Sequence, residues 1–190
     1  GPTVGAEIRT SAIYAGLLAL FGILIYVAFR YEFSFAVGAV IAIIHDILMT
    51  TGWYFLAQRE MNATTVAALL TIIGFSINDT IVIFDRVRED LRLGIRGSFR
   101  EVMNKALNQT LSRTIITSGT VFLATGALYL FGGGVINDFA FAFLVGIITG
   151  TYSSIFIACA IVLWWHKGQR PSIGPAAGAV AADAAEPAKP

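Results

Sequence analysis

The sequence predicts an all-α, polytopic bundle of five membrane-spanning helices, and three observations carry that prediction. Of 190 residues, 56% are hydrophobic and only 13% charged, whereas soluble domains carry roughly a quarter charged residues. The apolar residues gather into stretches at 11–29, 33–56, 64–84, 114–131 and 139–165, each near the roughly 20 residues that a helix needs to cross a bilayer core. Among all Asp, Glu, Lys and Arg residues, only Asp46 and Asp79 fall strictly inside those stretches.

Composition also excludes. A formal net charge of +1, with the bases confined to the ends of the apolar runs, is not the broad basic surface that tracks phosphates, so no nucleic acid is expected. Cys159 is the single cysteine, which leaves no internal disulfide and no cysteine-rich metal site. No Ser-His-Asp order, P-loop or paired-carboxylate arrangement stands out, so neither an enzyme nor a cofactor is expected.

Residues 1–10 read as a lead-in on the outer side, followed by a bundle over 11–165. Five is an odd number of spans, so the two ends lie on opposite sides. Arg30, the seven bases from Arg86 to Arg113, Lys167, Arg170 and Lys189 share one side, against Arg9 and Arg59 on the other. The positive-inside rule then predicts a cytoplasmic C-terminus. Trp53, Tyr54 and Tyr129 near the outer ends, with Tyr26, Tyr31, Trp164 and Trp165 near the inner ends, sit where amphipathic rings favour the headgroup layer.

The connections between the first and second, second and third, and fourth and fifth spans are short, which makes consecutive helices antiparallel neighbours. The longer stretch 85–113 is too polar to insert. Within it Phe99, Val102, Met103, Ala106 and Leu107 recur at helical spacing behind Ser98, with Glu101 completing a capping box. That pattern predicts an amphipathic helix at the cytoplasmic headgroup layer, with a solvated loop obeying the positive-inside rule as the plainer reading. The segment 166–190, rich in Pro, Ala and Gly, is expected to be a disordered cytoplasmic tail.

Apolar helices gain nothing by preferring each other to lipid, so packing rests on small residues and interhelical hydrogen bonds. Gly146, Gly150, Ser154 and Ala158 recur every four positions on the fifth span, and Gly38 and Ala42 do so on the second. These are packing ridges.

Asp79 is different in kind, because a carboxylate at bilayer depth costs at least about 2.5 to 3.5 kcal/mol on insertion scales. Ser76 lies on its helical face, and Arg113 at the start of the fourth span is its expected partner. Thr110, Arg113, Thr114, Thr117 and Thr120 follow an i, i+3, i+4, i+7 pattern and form a polar stripe. Asp79, Arg113 and Thr117 are therefore expected to line a hydrated proton path, with a static interhelical ion pair as the alternative. Burial favours an uncharged acid and a nearby guanidinium favours a carboxylate, so a small change in helix spacing suffices to move a proton. His45 and Asp46 form a possible second polar site, where structural and functional readings stand level; one His and one Asp are too few to hold a metal.

At these residues the chain closely resembles the SecF family of bacterial protein-translocase subunits, within the resistance-nodulation-division superfamily. The matching segments run from Gly1 to Glu7, His45-Asp46, Gly74 to Arg86 with Arg88-Glu89, and Asn108 to Ser118. The resemblance implies half of that superfamily's transmembrane core, in a bacterial inner membrane. It also implies an accessory subunit that works with SecD, beside the SecY-SecE-SecG channel and SecA, and uses the proton motive force to promote preprotein export. Asp79, Arg113 and Thr117 match family positions implicated in proton transport. Complete family members carry a further initial span and a periplasmic domain, so this chain is expected to be the C-terminal five-span portion. Half of a small-solute exporter from the same superfamily and a structural membrane scaffold remain as alternatives.

Overall fold

The computed structural model describes residues 2–171, and those residues form helices joined by short turns, with no strand among them. Helix α1 spans Pro2–Arg30, α2 Phe33–Leu56, α3 Ala63–Arg92, α4 Phe99–Phe131 and α5 Gly134–Ser153, which passes through a π-helical turn, Ser154–Ala158, into α6, Cys159–Trp165. Five helical stretches are long and apolar enough to cross a membrane, the last running Gly134–Trp165. This is a multi-pass membrane bundle. The fifth span is its hub, packed against α2, α3 and α4, while α1 lies at the edge against α2 and α3.

Several boundaries differ from the sequence reading, each for a local reason. The expected lead-in 1–10 is helical from Pro2, a residue that costs nothing at the first helical position, where its missing N–H would be unpaired anyway. The fifth span begins at Gly134 rather than at 139, because its polar Asn137 and Asp138 are satisfied locally. Asn137 Nδ2 donates to the Tyr129 carbonyl at 2.6 Å, and Asp138 pairs with Arg59 Nη1 at 2.6 Å. Asn62 caps α3, its side chain accepting from the Thr65 backbone N–H at 2.9 Å.

The stretch 85–113 is corrected more deeply. Helix α3 does not stop at residue 84 but continues eight residues to Arg92, because Phe84, Val87 and Leu91 keep the buried face in register. The Ser98–Glu101 capping box forms, yet the helix it opens runs unbroken through the fourth span to Phe131. The apolar face expected on lipid headgroups is inside the protein: Phe99, Val102, Met103 and Ala106 join Phe35, Phe84, Val87 and Val162 in the main core. At 30 and 33 residues, α3 and α4 are about 45 to 50 Å long, more than the roughly 30 Å hydrocarbon core. Their joined ends therefore project beyond the bilayer as a helical hairpin, turned by Gly94 and Gly97 at φ +65° and +122°.

The start of the expected disordered tail is tied down. Ser34 Oγ and His166 Nε2 lie 2.8 Å apart, and the Arg170 guanidinium donates to the carbonyls of Ile95, at 2.5 Å, and Gly97. The remainder of that tail, residues 172–190, lies outside the described residues. Two of the expected headgroup aromatics are core residues instead: Tyr54 is 1% exposed and bonded by Thr65, and Tyr31 is 9% exposed and donates to Asp85.

Candidate functional site

Two carboxylates meet the fifth span from opposite directions. Asp46 on α2 is fully buried. Its Oδ2 accepts from Ser76 Oγ of α3 at 2.6 Å and from Ser153 Oγ of α5 at 2.7 Å, and its Oδ1 lies 3.1 Å from His45 Nδ1. Hydroxyl contacts of that length are in the range of charge-assisted hydrogen bonds. Asp46 thus joins three helices, and Gly150 lies against the junction: a Cβ there would lie 3.3 Å from Ser76 Cβ and 3.6 Å from Asp46 Oδ2.

Asp79, on α3, is 4% exposed and is held more loosely. Its Oδ2 accepts from Ser118 Oγ of α4 at 3.3 Å, and Ser118 in turn accepts from Thr151 Oγ1 of α5 at 2.9 Å. Next to the Asp46 cluster, Thr80 Oγ1 and Ser154 Oγ lie 2.9 Å apart, and both also bond the Ser76 carbonyl. Each acid therefore has its own hydroxyl cluster along the α3–α5 seam, Ser76 and Ser153 at Asp46 and Ser118 with Thr151 at Asp79. Beside that seam the chain enters the π-helical turn at Ser154, an irregularity frequent at functional sites. The Cys159 thiol bonds the Ser154 carbonyl there.

The structure brings Asp79 together with Ser118 and Thr151, not directly with Arg113 or Thr117. Arg113 is exposed and makes neither a hydrogen bond nor an ion pair with Asp79. The Thr117 hydroxyl turns back to the Arg113 carbonyl at 2.8 Å. The expected polar stripe on α4 is rotated: its buried members are Thr110, Thr114 and Ser118, with Arg113 and Thr120 on the exposed flank. The reason lies below the stripe. Phe99, Val102, Met103 and Ala106 fix which face of α4 turns inward, and continuing their spacing selects 110, 114 and 118.

The packing ridge faces α3 and α2. A Cβ on Gly146 would fall 2.3 Å from Ile72, and a Cβ on Gly38 would fall 2.9 Å from the Ala158 carbonyl. Ser154 serves both packing and hydrogen bonding. Sequence reading missed Ser118, Thr151 and Ser153 as site residues; the signals available were that Ser118 lies one helical turn beyond Thr114 and Ser153 one turn beyond Gly150. No group of His, Cys, Asp and Glu able to hold a metal occurs among the described residues.

A helical membrane bundle with two buried carboxylates inside its apolar spans, each held by hydroxyls, is the class of protein that this geometry defines. Comparison narrows it. Residues 1–168 match the family described as "Protein export membrane protein SecD/SecF, C-terminal". The chain is 51% identical to "Protein translocase subunit SecF" of Calditerrivibrio nitroreducens, over 85% of this chain and 54% of that relative. It is 47% identical to "Protein translocase subunit SecDF" of Thermus thermophilus, over 90% of this chain and 23% of that one. The crystal structure of SecDF from Thermus thermophilus superposes with a TM-score of 0.83 at 47% identity, covering 88% of this chain and 23% of that chain. The chain therefore belongs to the SecD/SecF C-terminal family, and it spans about half the length of the SecF relatives it matches.

Proposed function

We propose that this chain is the membrane portion of an accessory subunit of a Sec protein translocase. It acts with SecD, beside the SecY-SecE-SecG channel and SecA, and uses the proton motive force to promote preprotein export across a bacterial inner membrane. The names of the relatives support the assignment, and the observation that carries the mechanism is Asp79: an acid at span depth with one long hydrogen bond, beside a guanidinium that does not touch it. The role is one of energy coupling, without chemical conversion of a substrate.

In this reading Ser118 and Thr151 pass a proton to Asp79 by hydroxyl exchange, and Arg113 and Thr117 govern its release on the exposed flank of α4. When Asp79 is a carboxylate, Arg113 attracts it and Ser118 is committed to it as a donor. Once Asp79 is protonated both constraints relax, so the spacing of α3 and α4 that was favoured is favoured no longer. One proton moving through 100 mV supplies about 2.3 kcal/mol, which shifts a two-state equilibrium roughly 50-fold. His45 and Asp46 hold the α2–α3–α5 junction against which that movement occurs. The concentration of bases at the ends carrying Arg30, Arg86 and Arg170 supports a cytoplasmic C-terminus.

The test is Asp79→Asn in the full-length protein reconstituted with SecD, the channel and SecA in inverted vesicles. Gradient-dependent export of a preprotein falls to the level seen without a gradient, while export driven by ATP alone is unchanged. Wild-type gradient dependence in that variant refutes the proposal.

A further inference from the structure

Outside the carboxylate seam, the end of the bundle where α1 stops and α3 leaves its apolar stretch carries an open cleft of about 390 Å³. It is lined by Arg30, Asp85, Arg88, Glu89, Arg92 and Leu93. We propose that this cleft binds the phosphodiester headgroup of an anionic phospholipid.

The charges within the cleft do not cancel. Glu89 is engaged by Arg86 Nη1 at 2.7 Å, outside the lining. Asp85 is the remaining acid, and it accepts from the Tyr31 phenol at 3.1 Å and lies 4.0 Å from Arg30. Arg88 and Arg92 have no carboxylate of their own there. The Arg88 guanidinium is held over the Tyr31 ring, 5.6 Å from its centroid, and its Nε is buried without a hydrogen-bond partner. A stacked guanidinium keeps its planar fork of donors in place, which is the geometry that matches two oxygens of a phosphate.

Position selects a lipid over free phosphate. Arg30 ends the apolar run of α1 and meets Asp85, which ends that of α3, so the cleft lies level with the bilayer surface. Phe29, which precedes the lining residue Arg30 at the end of the apolar run of α1, is 88% exposed, so an acyl chain leaving a headgroup held at Arg30 meets apolar surface. Free phosphate would use the arginines and leave the apolar surface next to Arg30 unused. Basic pockets between spanning helices are a recurring form of headgroup recognition.

The experiment is a titration of the full-length protein, purified in mild detergent, with phosphatidylglycerol, phosphatidylcholine or inorganic phosphate, read by native mass spectrometry. Phosphatidylglycerol binds saturably, phosphatidylcholine does not, and inorganic phosphate at the same concentration neither binds nor displaces the lipid. Arg92→Gln, at an exposed position, weakens phosphatidylglycerol binding about fivefold, as does Arg88→Gln. Arg96→Gln, which removes an equal charge outside the cleft, leaves it unchanged. Equal losses in Arg92→Gln and Arg96→Gln overturn the proposal, because the attraction is then general surface charge. Binding of phosphate as tight as that of the lipid also overturns it, as does the absence of a saturable lipid site in a protein that elutes as a single species.

Discussion

Gly146→Ala is a one-carbon change whose cost follows from the coordinates. The added Cβ would lie 2.3 Å from both Cγ1 and Cδ1 of Ile72, and 3.0 Å from its Cγ2. Carbon atoms rest at about 3.5 to 4.0 Å, so α3 and α5 must part by roughly 1 Å or Ile72 must leave its rotamer. Ile72 is fully buried, so moving it displaces other core atoms. Overpacking of this kind costs about 1 to 3 kcal/mol, or a fall in Tm of roughly 2 to 4 °C per kcal/mol for a chain of this size. Thermal unfolding of the full-length protein in detergent, followed by size-exclusion chromatography, measures it. Gly74→Ala is the control, since nothing stands within 4 Å of its Cβ. The decisive arm is the double variant. Ile72→Ala alone opens a cavity and destabilises, whereas Gly146→Ala added to it fills that cavity, giving a favourable coupling of at least about 1 kcal/mol. Strict additivity refutes the reasoning, because the penalty then does not arise from this contact.

Ser118→Ala should reduce gradient-dependent export at least as strongly as Thr117→Val, about tenfold, because only the Ser118 hydroxyl touches Asp79 and a hydrogen bond to a charged group is worth about 1.5 to 3 kcal/mol; the vesicle export assay compares them. Ser153→Ala removes one of the donors to Asp46 and should lower Tm by an amount equivalent to about 1.5 to 3 kcal/mol, since the buried carboxyl gains no water in exchange. The Tyr31 phenol, pushed up to about 12 by burial and then by the Asp85 charge beside it, should titrate near that value in a difference spectrum against Tyr31→Phe, and Asp85→Asn should lower its midpoint. The sign for stability follows. The unfolded phenol releases its proton near pH 10 while the folded one still holds it, so this contribution is complete below pH 10 and is lost as pH rises toward 12.

Most of the fold was legible because bilayer depth turns hydropathy into length, and the five spans fall where the apolar runs fall. What hydropathy cannot see is where a helix goes after it leaves the membrane. Val87 and Leu91 extend α3, and Phe99 to Ala106 begin α4, through a segment whose charges argue for a loop; their apolar face is covered by protein, so the headgroup layer is not needed to bury it. At the site, Asp79 and Asp46 are evident from cost alone, since a carboxylate in an apolar run demands a reason. Their partners are not evident in the same way. A serine such as Ser118 or Ser153 is cheap to bury whether or not it meets an acid, and only the rotation of α4 and α5, fixed by distant core residues, decides which hydroxyls point inward.

Under the proposed function, the difference in how the two acids are satisfied gives them different work. A carboxylate has about four acceptor positions. Asp46 meets two hydroxyls within 2.7 Å and an imidazole nitrogen at 3.1 Å, drawn from α2, α3 and α5, with no exposure. Changing its charge would unsettle all of those donors at once, which makes it a poor switch and a good clasp. Asp79 has one donor at 3.3 Å and retains slight exposure. In the proposed relay the loosely held acid is therefore the one fitted to exchange a proton, while the tightly held acid clasps α2, α3 and α5.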